Sequence, residues 1–104
     1  MINIRKTITN GNAVTGTQGA LLLRAMQNST TKIITLDFNG LESCSTQFIN
    51  ASIGMYFMQE NHKEVRFLNV AEVWQWKIDK AISLAENKVL RDFHNDILQR
   101  LINE

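Results

Sequence analysis

The segment Ile33-Ile34-Thr35-Leu36-Asp37-Phe38, cut off by Asn39-Gly40, does most to limit what this chain can fold into. It is short, rich in β-branched residues and almost continuously apolar, the pattern of a central strand covered on both faces. Asn and Gly tolerate positive φ and end it. A brief loop carrying Ser43, Ser45 and Thr46 follows, and Phe48 to Met58 then reads as a helix with apolar residues on almost every side. A helix of that kind is either deeply buried or partly covered by a partner. Gly54 inside it costs about 1 kcal/mol relative to alanine, which points to close backbone packing there.

Similar elements flank this unit. Ile2, Ile4 and Ile8 in INIRKTI read as a half-buried strand, with Thr9-Asn10-Gly11-Asn12 as the turn after it. Thr15 and Gln18 have the spacing of a capping box, so a helix starts there and runs through Leu21, Leu22, Leu23, Ala25 and Met26 to the polar stop Asn28-Ser29-Thr30-Thr31. Val65, Phe67, Leu68 and Val70 make a third strand after the turn Asn61-His62-Lys63. From Ala71 the period becomes helical. Trp74, Ile78, Ala81, Ile82 and Ala85 fall on one stripe, and Val89, Leu90, Phe93, Ile97 and Leu101 on another. Glu86-Asn87-Lys88 either separates two helices, leaving 87–104 as an additional C-terminal helix, or lies within a single long one. Alternating strands and helices predict one α/β domain over 1–104, with a small, mostly parallel or mixed sheet packed against helices and right-handed crossovers.

At 104 residues with 44% hydrophobic side chains, the chain suffices for one core without staples. It has no proline and five glycines, so no stretch has the composition of a flexible linker. Residues 1–60 carry four basic and three acidic side chains, and residues 61–104 carry seven of each. Neither part is a basic field, which argues against a nucleic-acid binder. Cys44 is the single cysteine, so no intramolecular disulfide can form and a reducing cytoplasm is the expected compartment. MINIRKTITNG has no secretory apolar stretch, and no window approaches the ~18 consecutive apolar residues of a membrane span.

Catalytic constellations are hard to assemble from these residues. A nucleophilic Cys44 needs an activating base, and the histidines, His62 and His94, have no spacing that brings them to it. The same three residues fit no metal-ligand spacing. Gly16 and Gly19 follow no strand directly and make no phosphate-cradling loop. Asp37 and Glu42 form an imaginable acid–base pair, but a strand-end Asp supporting its turn beside Asn39, with a solvated Glu, explains them more simply. Trp74 and Trp76 with Lys77 and Lys80 could stack and hold a nucleic-acid strand. Two helical positions apart, however, the indoles face different ways, so one belongs in the core, with Trp74 favoured, and one outside. Ser43, Ser45 and Thr46 suit the start of a helix, where a hydroxyl satisfies a free backbone N–H and where added negative charge is stabilised. The expectation is therefore a protein without a catalytic site, cofactor or metal.

The run IITLDFNGLESCSTQFINASIG resembles the core of STAS-type domains, the fold of bacterial anti-sigma-factor antagonists, and is closer still to a small STAS-like group of bacterial proteins. The shared pattern is a buried strand ending near an Asp-aromatic pair, a short loop, a hydroxyl-rich turn and an apolar helix. The resemblance is strongest from Ile33 to Gly54, about a fifth of the chain. It implies a regulatory module that binds a protein partner, a kinase of the histidine-kinase-like ATPase fold, and is released when a Ser or Thr at the helix start is phosphorylated. Carried onto this chain, Thr46 takes the phosphorylated position, with Ser45 and Ser43 as further phospho-acceptor candidates. Ser45 stands where classical members have an acid, and Gln47-Phe48 replace the Ser-Gly that follows. Gln47 and Asn50 are then expected on the partner surface, with Asp37 and Asn39 supporting the loop. Rival readings are a small enzyme or nucleotide-binding protein using the 37–46 loop, and a helical oligomerisation unit with Val89–Leu101 as the seam of a homodimer.

Overall fold

The structure, a computed structural model, describes residues 1–103, with side chains as far as Lys88. Three parallel strands, β1 (Ile2–Asn3), β3 (Ile33–Asp37) and β5 (Glu64–Leu68), form a sheet in the order β1-β3-β5. Register pairs Ile2 with Leu36, and Ile34 and Leu36 with Val65 and Phe67. A second, two-stranded parallel ladder joins β2 (Asn12–Ala13) to β4 (Ser43–Cys44). The helices are α1 (Ile4–Ile8), α2 (Gly16–Gln27), α3 (Thr46–Ile49), α4 (Met55–Phe57) and α5 (Glu72–Asn103). A π-helical turn, Asn50–Gly54, fuses α3 to α4 into one helical run over 46–57.

Each step from β1 to β3 to β5 moves the same way across the sheet. Right-handed crossovers that step in one direction place their helices on one side. Burial agrees: Ile34, Leu36 and Phe38 are buried, whereas Ile33, Thr35 and Asp37 are only half-buried. On β5 the residues in register with that second set, Glu64, Arg66 and Leu68, are exposed. The expected strand covered on both faces is thus corrected. It is central in the sheet, but helices cover one face, and the continuous apolarity of Ile33–Phe38 overstated its burial.

The N-terminal strand also ends sooner than its alternation predicts. Only Ile2 and Asn3 are extended; the Asn3 side chain then accepts from the Lys6 N–H at 3.0 Å and starts α1. Ile4 and Ile8, which fit a two-residue repeat, are also four apart, and both are buried on one helix face. An even spacing satisfies both periods; the Asn3 cap settles the choice. The Thr15–Gln18 capping box is present in full, with the Thr15 hydroxyl accepting from the Gln18 N–H at 3.1 Å and the Gln18 amide oxygen from the Thr15 N–H at 2.9 Å.

The helix read from Phe48 to Met58 begins two residues earlier, at Thr46, and most of its apolar side chains are covered from within, Met55 being exposed. Phe48, Ile49 and Ile53 are fully buried; α2 packs on one flank and α5 on the other. The closest approach lies at Gly19 of α2, not at Gly54. A Cβ on Gly19 would sit 2.6 Å from the Ala51 Cβ and 3.0 Å from the Phe48 carbonyl oxygen, whereas on Gly54 it would meet nothing nearer than 3.7 Å.

β5 spans Glu64–Leu68, ending two residues before Val70, and lies at the sheet edge. Residues 72–103 form one helix without a break at Glu86–Lys88. Ile78, Ala81 and Ala85 are buried, with Trp74 and Ile82 packed at the border of the core. The stripe and seam expected at Val89–Leu101 fall on side chains outside the described residues.

Candidate interaction site

The hydroxyl-rich turn is fixed by residues far away in sequence. The β2–β4 ladder pairs Asn12 with Ser43 and Ala13 with Cys44, and the Ser45 N–H continues it to the Ala13 carbonyl at 2.9 Å. Side chains reinforce the pairing. Ser43 Oγ donates to Asn12 Oδ1 at 2.9 Å, and Ser45 Oγ donates to the Val14 carbonyl at 2.6 Å. Ser45 Oγ also accepts from the Phe48 N–H at 3.1 Å and is the N-cap of α3. Both hydrogen-bonding functions of that hydroxyl are therefore occupied. Thr46, the next residue, is exposed, and its side chain makes no hydrogen bond among the described residues.

Gln47 and Asn50 are exposed on the same outer ridge, and Met55 continues it one turn on. Grooves run along both sides. Between this ridge and α2 lies a shallow one lined by Ala20, Leu23 and Met55. Between the ridge and α5 lies a narrower one of about 220 Å³, bounded by Thr46, Asn50, Trp76, Lys77, Lys80 and Leu84. Lys77 reaches back to the turn and donates from Nζ to the Cys44 carbonyl at 3.2 Å. Sequence reasoning placed Lys77 and Lys80 beside the tryptophans and missed their approach to Thr46. No local signal marks it, since more than thirty residues separate them.

Asp37 and Asn39 stand apart from this ridge, at the carboxyl end of the sheet. Asp37 Oδ1 accepts from the Asn39 N–H at 3.0 Å and from Asn69 Nδ2 at 2.8 Å. Those donors, the Asn69 amide foremost, hold its carboxyl below the usual carboxylate range. Asn69 has a φ of 57°, and the bond to Asp37 ties the loop after β5 to the end of β3. Glu42 lies elsewhere, its N–H donating to the Gly11 carbonyl at 2.6 Å and its side chain running beside Gly11.

Cys44 is buried, and desolvation pushes its thiol up to about 11 against the opposing charge of Lys77. A thiol held that way is a poor nucleophile at neutral pH. His62 rests against the Phe57 ring, with centroids 4.8 Å apart, and against Tyr56; the His94 side chain lies outside the described residues. Among the described residues no cluster of His, Cys, Asp and Glu could hold a metal ion. None of the described helices is long and apolar enough to cross a membrane. Trp76 is 58% exposed, and Trp74 is half-buried against Phe38 with ring centroids 6.2 Å apart.

A short parallel sheet, helices on one face and a capped helix run starting from a hydroxyl-rich turn together define a small α/β domain of STAS-like build. The family model for a STAS-like domain of unknown function matches residues 18–73, just over half of the chain, and this protein belongs to that family. That span includes most of α2, all of β3, the turn, the whole 46–57 run and β5. No curated protein and no solved structure matches the chain.

Proposed function

We propose that this domain is a protein-interaction module without catalytic activity of its own, and that it contacts its partner through the turn and ridge at Thr46, Gln47 and Asn50. One observation carries the reading. The chain covers the apolar side chains of the 46–57 run, Met55 excepted, with its own helices and sheet, yet leaves the ridge of Thr46, Gln47 and Asn50 bare on an anchored helix start, between two grooves. The ladder and the Ser45 cap hold the ridge in place before any partner arrives, which lowers the ordering cost of association.

The partner suggested by the STAS resemblance is a histidine-kinase-like ATPase, with Thr46 as the phospho-acceptor. The hydroxyls are not equivalent in this respect. A phosphoryl group on Ser45 would abolish its donation to Val14, and one on Ser43 its donation to Asn12. Thr46 has no such bond among the described residues to lose, and Lys77 and Lys80 line the groove beside it. A phosphate there would add about −1.5 to −2 charges at the partner surface.

Capture from the native cell with wild type, Thr46→Glu, Asn50→Arg and, on the open sheet face, Arg66→Glu tests the reading. The first two variants should lose the partner that wild type and Arg66→Glu retain. Identical partner sets for all four would refute this surface. Phosphopeptide mapping that found Ser45 modified and Thr46 bare would refute the assignment of the acceptor.

A further inference from the structure

The chemistry of the partner can be read from the narrower groove. Its walls combine large exposed apolar side chains with positive charge. Trp76 is 58% and Leu84 54% exposed, while Lys77 and Lys80 line the groove between them. Among the described residues no acidic side chain lines it. The carboxylates of this part of α5 face elsewhere: Glu72 and Asp79 border the other side of Trp76, where Asp79 accepts from Gln75 Nε2 at 3.0 Å. Among the described residues Lys80 has no ion-pair partner, and the one ion pair, Arg66–Glu64, is on the open sheet face.

Trp76, Lys80 and Leu84 follow each other at i, i+4 and i+8, so they form a continuous, slightly slanted row on one side of α5. Facing them across the groove are Thr46 and Asn50, again one helical turn apart. A groove of this size between two helices, with an apolar wall and a basic lining, suits the side chains of a third helix lying over it that presents an apolar stripe edged with carboxylates. Self-association through this groove would bring Lys77 and Lys80 against their own copies. A nucleic-acid strand would find one exposed indole and two lysines, too little for a stacking track.

Resting on the interaction-module reading above, we infer that the groove between the 46–57 run and α5 receives an acidic amphipathic helix of the partner protein. Its apolar residues seat against Trp76 and Leu84, and its carboxylates pair with Lys80 and Lys77. A phosphate on Thr46 would compete for the same lysines, giving modification a direct way to expel the helix.

The probe is a phage-displayed library of 18-residue helix-patterned peptides, random in charge and in apolar positions, selected on the full chain. The enriched sequences should carry apolar residues at i, i+3 or i+4, and i+7, flanked by Glu or Asp. A synthetic consensus peptide should shift the emission of the Trp74→Phe variant, in which Trp76 is the sole indole. Lys80→Glu and Leu84→Ser, both at exposed positions, should each weaken it at least tenfold. A peptide with its Glu residues replaced by Lys should regain affinity for Lys80→Glu. The inference is overturned if selected peptides are neutral or basic, or if a single-stranded oligonucleotide shifts Trp76 while the acidic peptide does not. It is equally overturned if the peptide binds wild type and both groove variants alike. If native-partner capture depends on Thr46 and Asn50 but is indifferent to Lys80→Glu, the interaction module stands and the acidic-helix inference alone falls. Loss of dependence on all of these positions sinks both.

Discussion

Replacing Gly19 with alanine gives a strong test of how α2 and the 46–57 run fit together. An added Cβ would lie 2.6 Å from the Ala51 Cβ, 3.0 Å from the Phe48 carbonyl oxygen and 3.3 Å from the Ala51 carbonyl carbon. None of these atoms is the end of a flexible side chain, so relief requires one helix backbone to move. Overpacking of this kind costs about 1–3 kcal/mol. Alanine in a helix interior returns about 1 kcal/mol of propensity, leaving a net loss of roughly 0–2 kcal/mol. Gly54→Ala is the matched control. The same propensity gain is available, and the new methyl would meet Ile49 O at 3.7 Å and the Ala81 Cβ at 3.8 Å, ordinary contact distances. Gly54→Ala should therefore raise stability by about 1 kcal/mol, placing the two variants roughly 1–3 kcal/mol apart. Urea unfolding, read as the midpoint at unchanged slope, measures both. Ala51→Gly, which removes the nearest of these contacts, should relieve part of the Gly19→Ala penalty in the double variant, as expected for neighbouring sites. Equal shifts for Gly19→Ala and Gly54→Ala, or strict additivity with Ala51→Gly, would refute this account of the helix contact.

Phe38→Ala, at a ring 1% exposed between Phe67 and Trp74, should lose about 3–5 kcal/mol in the same assay. Ser45→Ala removes the cap and the bond to the Val14 carbonyl, which water can replace, so it should cost about 1 kcal/mol, whereas Thr46→Ala should stay within about 0.5 kcal/mol; a larger loss at Thr46 than at Ser45 would contradict the observed cap. Because burial lifts the Cys44 thiol to about 11, the unfolded chain ionises first as pH rises, so stability should fall between the ordinary thiol range and about pH 11. Cys44→Ser should flatten that decline, and native Cys44 should resist alkylation at pH 8 until denaturant is added. Asp37 shifts the other way: its depressed carboxyl stabilises the fold above the ordinary carboxylate range, and the contribution is lost as pH falls through its folded value. Asp37→Asn should accordingly remove part of the acid sensitivity seen in pH-dependent unfolding.

The STAS resemblance was carried by one contiguous stretch, Ile33 to Gly54, and the family match covers all of it. Local chemistry sufficed there: a β-branched run, an Asn-Gly stop, capping hydroxyls and a helical apolar pattern each specify an element by themselves. The Thr15–Gln18 capping box was legible for the same reason. INIRKTI was not, because Ile4 and Ile8 satisfy strand and helix periods equally and the deciding bond, from Lys6 N–H to Asn3, is easily passed over in a short segment. For the candidate site, the sequence identified the hydroxyls but not their separate jobs. Ser45 became the cap and Thr46 the exposed neighbour only once Val14 and Phe48 offered Ser45 its two partners.

The sequence by itself determined the α/β class, the alternation of strand and helix from Thr15 to Leu68 and the capping hydroxyls at the start of the 46–57 run, since cap, stop and periodicity signals act between near neighbours. Tertiary structure decided that only one face of β3 is covered, because strand order and crossover handedness choose the side on which helices land; the alternation of Ile34, Leu36 and Phe38 with Thr35 and Asp37 already marked which face that is. It also decided that Gly19 rather than Gly54 is the point of closest helix approach, a matter of which surfaces meet. The site was settled in the same way. Apolar patterning cannot say whether an all-round hydrophobic helix waits for a partner or is already wrapped by its own chain. Here α2, α5 and the sheet cover most of the apolar side chains, and what remains outside is the ridge of Thr46, Gln47, Asn50 and Met55 with the lysines of α5 beside it.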